Sequence, residues 1–265
     1  MRVRVCLAGK MLLNIMQHIC FKGIQMAQNE EMEEMDENEE TEDVYEELDP
    51  SKVAGDLMDE LINYCMDHDE YECMPLPDEE DALYIALDVC ASRVCSELIE
   101  IEEAIKNSQT FRDELEKEFR EMLNDYWATH IAFGLDDLLD EVYDRIANNE
   151  DLVDFRKARL LKKYQKVLEE FANAIDRALK EKKPLSKEDL YNWFMDIGDA
   201  VLGTEAYDWF DLRVDFWMGF YDPLNDYYKL LMISKLKDGI RGFAYRLLPK
   251  IKQKLSELET LKNES

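Results

Sequence analysis

Aspartate side chains recur at the same spacing in two segments of the sequence, and this spacing suits a divalent cation. Both segments read Asp-apolar-apolar-Asp-x-x-apolar-Asp. The first triplet is Asp137, Asp140 and Asp144, and the second is Asp208, Asp211 and Asp215. Residues three and seven positions apart share one face of a helix, so each triplet predicts a row of carboxylates. Mg²⁺ prefers carboxylate oxygens, and Mg²⁺ held between two such helices would bind a phosphate or diphosphate group.

The same triplets have a simpler interpretation as solvated acidic helix faces. The chain contains 61 Asp and Glu residues, so carboxylates at helical spacing arise repeatedly by chance. The segment Asp136-Asp137-Leu138-Leu139-Asp140 resembles the DDxxD motif of all-α isoprenoid synthases. The resemblance is confined to those five residues, and the basic cluster that grips diphosphate is missing. We predict Mg²⁺ only under the alternative that the protein is an enzyme, and otherwise assign no cofactor.

The cysteines and histidines form one loose cluster in the sequence, and its spacing does not match a zinc site. Its members are Cys65, His68, Cys73, Cys90 and Cys95. Structural zinc sites draw their ligands from short knuckles of the CxxC type, and this chain has no such pair. Cys90 belongs to the apolar stripe of a predicted helix, which favours a buried core thiol. Without CxxC pairs or a secretory signal, free thiols and a cytoplasmic location are expected.

The net charge of −29 is unevenly distributed along the sequence. Residues 26–50 carry thirteen acids and no base, and 51–106 carry sixteen acids and three bases. From Lys229 to the end, nine bases outnumber four acids. An acidic field repels nucleic acid and attracts basic partners. Direct nucleic-acid binding is therefore expected only weakly, through the basic amphipathic segment 229–254.

The amino-terminal part of the sequence differs in composition from the rest. Residues 1–25 contain no acid, which indicates a basic targeting segment, an overextended reading frame that truly starts at Met26, or a genuine structural segment. The codons for Lys22-Gly23 would form a purine-rich stretch resembling a ribosome-binding site shortly before Met26, which favours the second interpretation. Residues 26–50 are too polar and too uniformly charged to offset the entropy of ordering, so they predict a disordered acidic arm.

Apolar residues recur at helical spacing from Pro50 onward, without any run of β-type alternation. The pattern predicts an all-α fold, an irregular bundle of about eight or nine helices. It places a turn or kink at Gly134, a helix from Asp151 to about Lys183, and a separate final helix after Pro249. We predict one domain over 51–265, with 107 and 184 as the places where it would subdivide. No apolar run reaches the length of a transmembrane segment.

Nine aromatic residues crowd into 207–228, and their spacing makes one helix aromatic over a wide arc. Their identities are Tyr207, Trp209, Phe210, Phe216, Trp217, Phe220, Tyr221, Tyr227 and Tyr228. A helix that is apolar nearly all round is typical of a buried central helix. The alternative is an exposed aromatic groove for a partner or ligand.

Two functions are compatible with these features. The first is an interaction protein whose acidic surface and arm bind a basic protein surface or allow self-association; its most specific form is a mimic of nucleic-acid charge. The second is a Mg²⁺-dependent all-α enzyme that acts on phosphate or diphosphate esters through the two Asp-rich helices. We favour the first, since no nucleophile–base pair or Gly-rich phosphate loop is found.

Overall fold

Nine α-helices and no strand make up the described part of this computed structural model, which covers 48–67, 74–93, 95–198, 207–238 and 243–264. The helices are α1 (Pro50–Asp67), α2 (Ala82–Ala91), α3 (Cys95–Asn107), α4 (Gln109–Ala147), α5 (Asp154–Glu181), α6 (Lys187–Ile197), α7 (Tyr207–Tyr221), α8 (Asp226–Asp238) and α9 (Phe243–Glu264). The predicted all-α class is confirmed. The predicted leader 1–25 and all but the last three residues of the arm 26–50 lie outside the described residues.

The helices divide between two compact units. The first contains α1, α2, α3 and α4 as far as Phe119, and the second contains Leu76–Glu79 and the chain from Arg120 onward. In the first unit α2 packs on α1, and the buried Cys90 thiol donates a hydrogen bond to the Leu57 carbonyl at 3.6 Å. In the second unit α5 is the central helix, and it packs against α6, α8 and α9.

Helix α4 runs without interruption over 39 residues, so the prediction of a turn at Gly134 is wrong. A lone glycine costs a helix about 1 kcal/mol relative to alanine, which neighbouring packing easily offsets. Gly134 is buried, and Trp217 of α7 occupies the space where a side chain would be. The glycine therefore serves a close helix–helix approach rather than a turn.

The ends of the helices depend on proline and on capping residues, but not at every position. Pro249 lies inside α9, so the predicted separate final helix is wrong. Leu247 and Ile251 are buried on either side of the proline, and their packing keeps both segments on one core. Ser186 caps the start of α6, since the Asp189 backbone N–H donates to Ser186 Oγ at 3.0 Å. Lys182 ends α5 in the left-handed conformation, with φ of 52°.

The state of the cysteines also differs from the expectation. Cys65 is disulfide-bonded, so the prediction of free thiols is wrong for this residue. Cys90 is a free and buried cysteine, as its place in the apolar stripe predicted. Within the described residues, no helix combines the length and apolar character needed to cross a membrane.

Candidate functional site

The six predicted metal ligands have different surroundings. Asp137 and Asp144 are exposed on α4, and Asp215 is exposed on α7. Asp140 and Asp211 are half-buried, and each accepts hydrogen bonds from another helix. The side chain of Asp208 lies outside the described residues. Among the described residues, no three acidic, cysteine or histidine side chains are grouped so as to hold a metal ion.

Asp140 is already neutralised by basic side chains of α9. Arg246 Nη1 donates to both Asp140 carboxylate oxygens, and Lys250 Nζ lies 3.7 Å from Asp140 Oδ1. A cation at this carboxylate would have to displace the guanidinium, whose charge-assisted hydrogen bonds are the strong kind. The arrangement makes Asp140 an anchor between α4 and α9.

Asp136 is the buried acidic residue of this region, although the sequence interpretation gave it no separate role. Its side chain is 2 % exposed, and Arg246 Nη2 donates to Asp136 Oδ1 at 2.9 Å. Asp136 Oδ2 is buried and has no hydrogen-bond partner among the described residues. Burial raises the pKa of Asp136 to about 6, and the Arg246 charge opposes that rise. The signal in the sequence was an acid next to Leu135, inside the apolar stripe of α4.

The second triplet lies on α7, and its described members also take part in structural contacts or face solvent. Tyr191 of α6 donates a 2.8 Å hydrogen bond to Asp211 Oδ1. Next to it on α7, Arg213 forms a 2.7 Å salt bridge with Glu141 of α4. These contacts tie α7 to α6 on one side and to α4 on the other. The prediction that both triplets share one Mg²⁺ site remains a prediction.

The Cys/His cluster can be followed only in part. Cys65 is disulfide-bonded, and Cys90 is buried with its pKa raised to about 11, chiefly by desolvation. A thiol with such a pKa stays protonated near neutral pH and is a poor nucleophile. His68 and Cys73, and the side chain of Cys95, lie outside the described residues. The described cysteines therefore offer no thiolate for chemistry.

Several exposed acidic side chains of the first unit have no basic partner in the described structure. In the first unit Asp56 and Asp59 of α1, and Glu97, Glu100 and Glu103 of α3, are exposed and form no side-chain hydrogen bond or salt bridge in the described structure. In the second unit, several carboxylates pair with bases from other helices. Examples are Asp140 with Arg246, Glu141 with Arg213, Asp176 with Lys237, and Glu259 with Lys162. Other acids of the second unit, such as Glu181 and Asp215, are also exposed without a base, so unpaired negative charge occurs in both units. What distinguishes α3 is that its unpaired glutamates follow one another at intervals of three residues.

The aromatic helix α7 is half-buried rather than wholly enclosed. Phe210, Val214, Met218 and Tyr221 form its buried face. Phe216 on the opposite face is exposed, and Trp217 and Phe220 are partly accessible. The prediction of a buried central helix is therefore correct for one face only. The side chains of Tyr207 and Trp209 lie outside the described residues.

No protein-family model, curated protein or solved structure matches this chain. Its function is therefore argued from the charges and contacts described above.

Proposed function

We propose that the protein is an interaction module that binds a basic partner, and that the acidic helices of its first unit contribute the binding surface. The observation that carries this proposal is the row of unpaired acids on α3. Glu97, Glu100 and Glu103 are exposed and have no basic partner in the described structure. Unpaired charges of one sign attract a partner of the opposite sign and speed its association.

The spacing of these glutamates favours a partner with several positive charges. Glu97, Glu100 and Glu103 follow one another at intervals of three residues, so they form a row on one side of α3. An exposed ion pair contributes at most about 1 kcal/mol, and salt screens it. Useful affinity therefore requires several pairs at once. A basic protein surface provides several positive charges at once. If that surface belongs to a nucleic-acid-binding protein, the row of glutamates mimics the charge of the nucleic acid.

The experiment measures binding of fluorescein-labelled oligolysine to the full chain by anisotropy. The test variant carries Glu97→Gln, Glu100→Gln and Glu103→Gln. The control variant carries Glu150→Gln, Glu181→Gln and Asp196→Asn, three exposed acids of the second unit. Both variants change the net charge equally, so only the position of the charge differs. We expect about a tenfold weaker Kd for the test variant at low salt and a much smaller change for the control.

Two results would contradict the proposal. Equal losses in both variants would mean that oligolysine senses only the net charge. Binding that is insensitive to salt would exclude an electrostatic surface. An internal deletion of 26–47 tests the acidic segment that precedes α1, and unchanged affinity would leave the described helices as the binding surface.

The location and the assembly state stay predictions. Self-association would be detected by sedimentation of the chain alone, and loss of a dimer at high salt would favour pairing of acidic and basic regions between copies. The cytoplasmic location was inferred from the lack of a secretory signal and of CxxC pairs, and the disulfide at Cys65 is unusual for a reducing compartment. Cell fractionation tests it directly.

A further inference from the structure

Helices α4 and α7 lie side by side in the second unit, and aromatic rings connect them. Trp127 of α4 stacks on Phe220 of α7 with ring centroids 4.0 Å apart. Farther along, Trp217 fills the space over Gly134, and beyond that Arg213 pairs with Glu141. Residue numbers rise along α4 as they fall along α7, so the two helices run antiparallel. Their outer sides form one surface.

That surface exposes large apolar side chains. Leu212 is 70 % exposed and Phe216 is 39 % exposed on α7, while Phe133 is 42 % exposed on α4. Leu212 and Phe216 are four residues apart and therefore neighbours on the helix. Phe216 also meets the ring of Phe220 edge-on at 5.1 Å, which holds it in place. We call Phe133, Leu212, Phe216 and Gly219 the aromatic face.

Gly219 leaves a gap in this face. It is exposed and follows Phe216 by three residues, and a Cβ added there would meet nothing within 4 Å. No packing inside the described structure therefore requires a glycine at this position, in contrast to Gly134. A glycine beside exposed apolar residues lets the backbone of a partner approach closely.

Acidic residues border the aromatic face on both helices. On α7, Asp215 is exposed and lies three residues after Leu212. On α4, Asp137 is exposed and lies four residues after Phe133, with Asp144 two turns farther on. Members of both predicted Asp triplets thus border an apolar strip.

We propose that the aromatic face binds a basic amphipathic helix of a partner protein, with Leu-type side chains on the strip and Lys or Arg facing the two acidic borders. The inference rests on the proposed function and specifies the partner. Charge decides among the possible occupants. Nucleic acid and anionic lipid are repelled by the acidic borders. A second copy in a twofold arrangement would set the same acidic borders against each other.

The geometry suits a helix in particular. Leu212, Phe216 and Gly219 span about two turns of α7, or roughly 10 Å at 1.5 Å per residue. A partner helix with apolar residues at i, i+3, i+4 and i+7 presents a strip of the same length, with its basic residues on either side.

The experiment titrates the full chain against three labelled peptides followed by anisotropy. The peptide LKKLLKKLLKKLLK has helical spacing and positive charge, LEELLEELLEELLE has the same spacing and negative charge, and oligolysine has charge without an apolar strip. The test variants are Leu212→Gln and Gly219→Gln. The control is Leu261→Gln on α9, where the leucine is 53 % exposed and remote in sequence from the aromatic face.

We expect the Lys/Leu peptide to bind and the Glu/Leu peptide to fail. Leu212→Gln should weaken binding of the Lys/Leu peptide by about tenfold, as expected for losing the burial of one leucine side chain. Gly219→Gln should weaken it by a similar factor, because the added side chain keeps the backbone of the peptide away from α7. Gly219→Gln should not lower Tm, since glutamine is a better helix former than glycine. Leu261→Gln should leave the affinity unchanged, and none of the three should alter oligolysine binding.

Each alternative result overturns the inference. Unchanged affinity in both test variants would show that the peptide binds elsewhere. A dimer of the wild-type chain that both test variants dissociate would assign the face to a second copy. If oligolysine binds and the Lys/Leu peptide binds no more tightly than oligolysine does, the inference fails while the proposed function stands. If neither peptide binds, the proposed function fails as well.

Discussion

Arg246 of α9 donates a 2.9 Å hydrogen bond to the buried carboxylate of Asp136 on α4, and the same guanidinium binds Asp140 one turn farther along. One guanidinium thus forms salt bridges with two carboxylates. Asp136 Oδ2 remains buried without a partner among the described residues. A half-satisfied buried carboxylate is costly, because desolvation penalises its charged form.

The stability of the second unit should therefore fall as pH rises through the pKa of Asp136. Its folded-state pKa of about 6 lies above the ordinary value of 3.8, so its contribution is fully present below about pH 4 and is lost as pH rises through 6. The shift in pKa corresponds to a change of at most about 3 kcal/mol in the free energy of unfolding.

All four tryptophans lie beyond Arg120, so urea unfolding followed by tryptophan fluorescence reports on the second unit. Asp136→Asn should remove this decline between about pH 4.5 and 7.5; a variant that declines as steeply as the wild type would refute it.

Removing Arg246 should destabilise the second unit more than removing its exposed neighbour. Arg246→Met leaves Asp136 and Asp140 without their shared guanidinium, and breaking one side of a buried ion pair costs about 3 kcal/mol. Lys250→Met, the control, removes a looser contact to Asp140 and should cost less than about 1 kcal/mol. The Asp136→Asn, Arg246→Met double variant should recover part of the loss in urea unfolding. Equal costs for the two single variants would exclude a special role for Arg246.

Mg²⁺ distinguishes the interaction module from the alternative Mg²⁺-dependent enzyme. We expect about 5 mM Mg²⁺ to leave the Tm unchanged, because Asp140 is bound to Arg246 and the described carboxylates form no three-residue group. Differential scanning fluorimetry measures this, with Na⁺ at equal ionic strength as control. A rise in Tm that Asp137→Asn and Asp208→Asn each abolish would support the enzyme instead.

The all-α fold could be predicted from the sequence because apolar spacing of three and four residues persists from α1 to α9. The errors arose where long-range packing decides. Gly134 was predicted as a break, but Trp217, 83 positions later, packs over it. Pro249 was predicted as an end, but buried residues on both sides continue the helix.

The candidate site was harder to predict for a related reason. Helical spacing shows which carboxylates share one face of one helix. It does not show which basic residue of another helix forms salt bridges with them. The partner of Asp136 and Asp140 is Arg246, about a hundred residues later in the base-rich part of the sequence that begins at Lys229. Likewise, the half-exposed state of α7 depends on how α4 packs against it, which the aromatic content of 207–228 does not reveal.

Two glycines of this helix pair should respond oppositely to the same substitution. An alanine Cβ at Gly134 would lie 2.1 Å from Trp217 Cε2, so Gly134→Ala forces the indole to move. Overpacking of this kind costs about 1–3 kcal/mol, more than the roughly 1 kcal/mol that alanine contributes as a helix former. At Gly219 a Cβ meets nothing, so Gly219→Ala should stabilise the second unit by up to about 1 kcal/mol. Urea unfolding of the two variants gives the comparison.

Trp217→Leu combined with Gly134→Ala should cost less than the sum of the single changes, since the smaller side chain relieves the clash. Stabilisation by Gly134→Ala alone would mean that α4 and α7 are farther apart at this point than the structure places them.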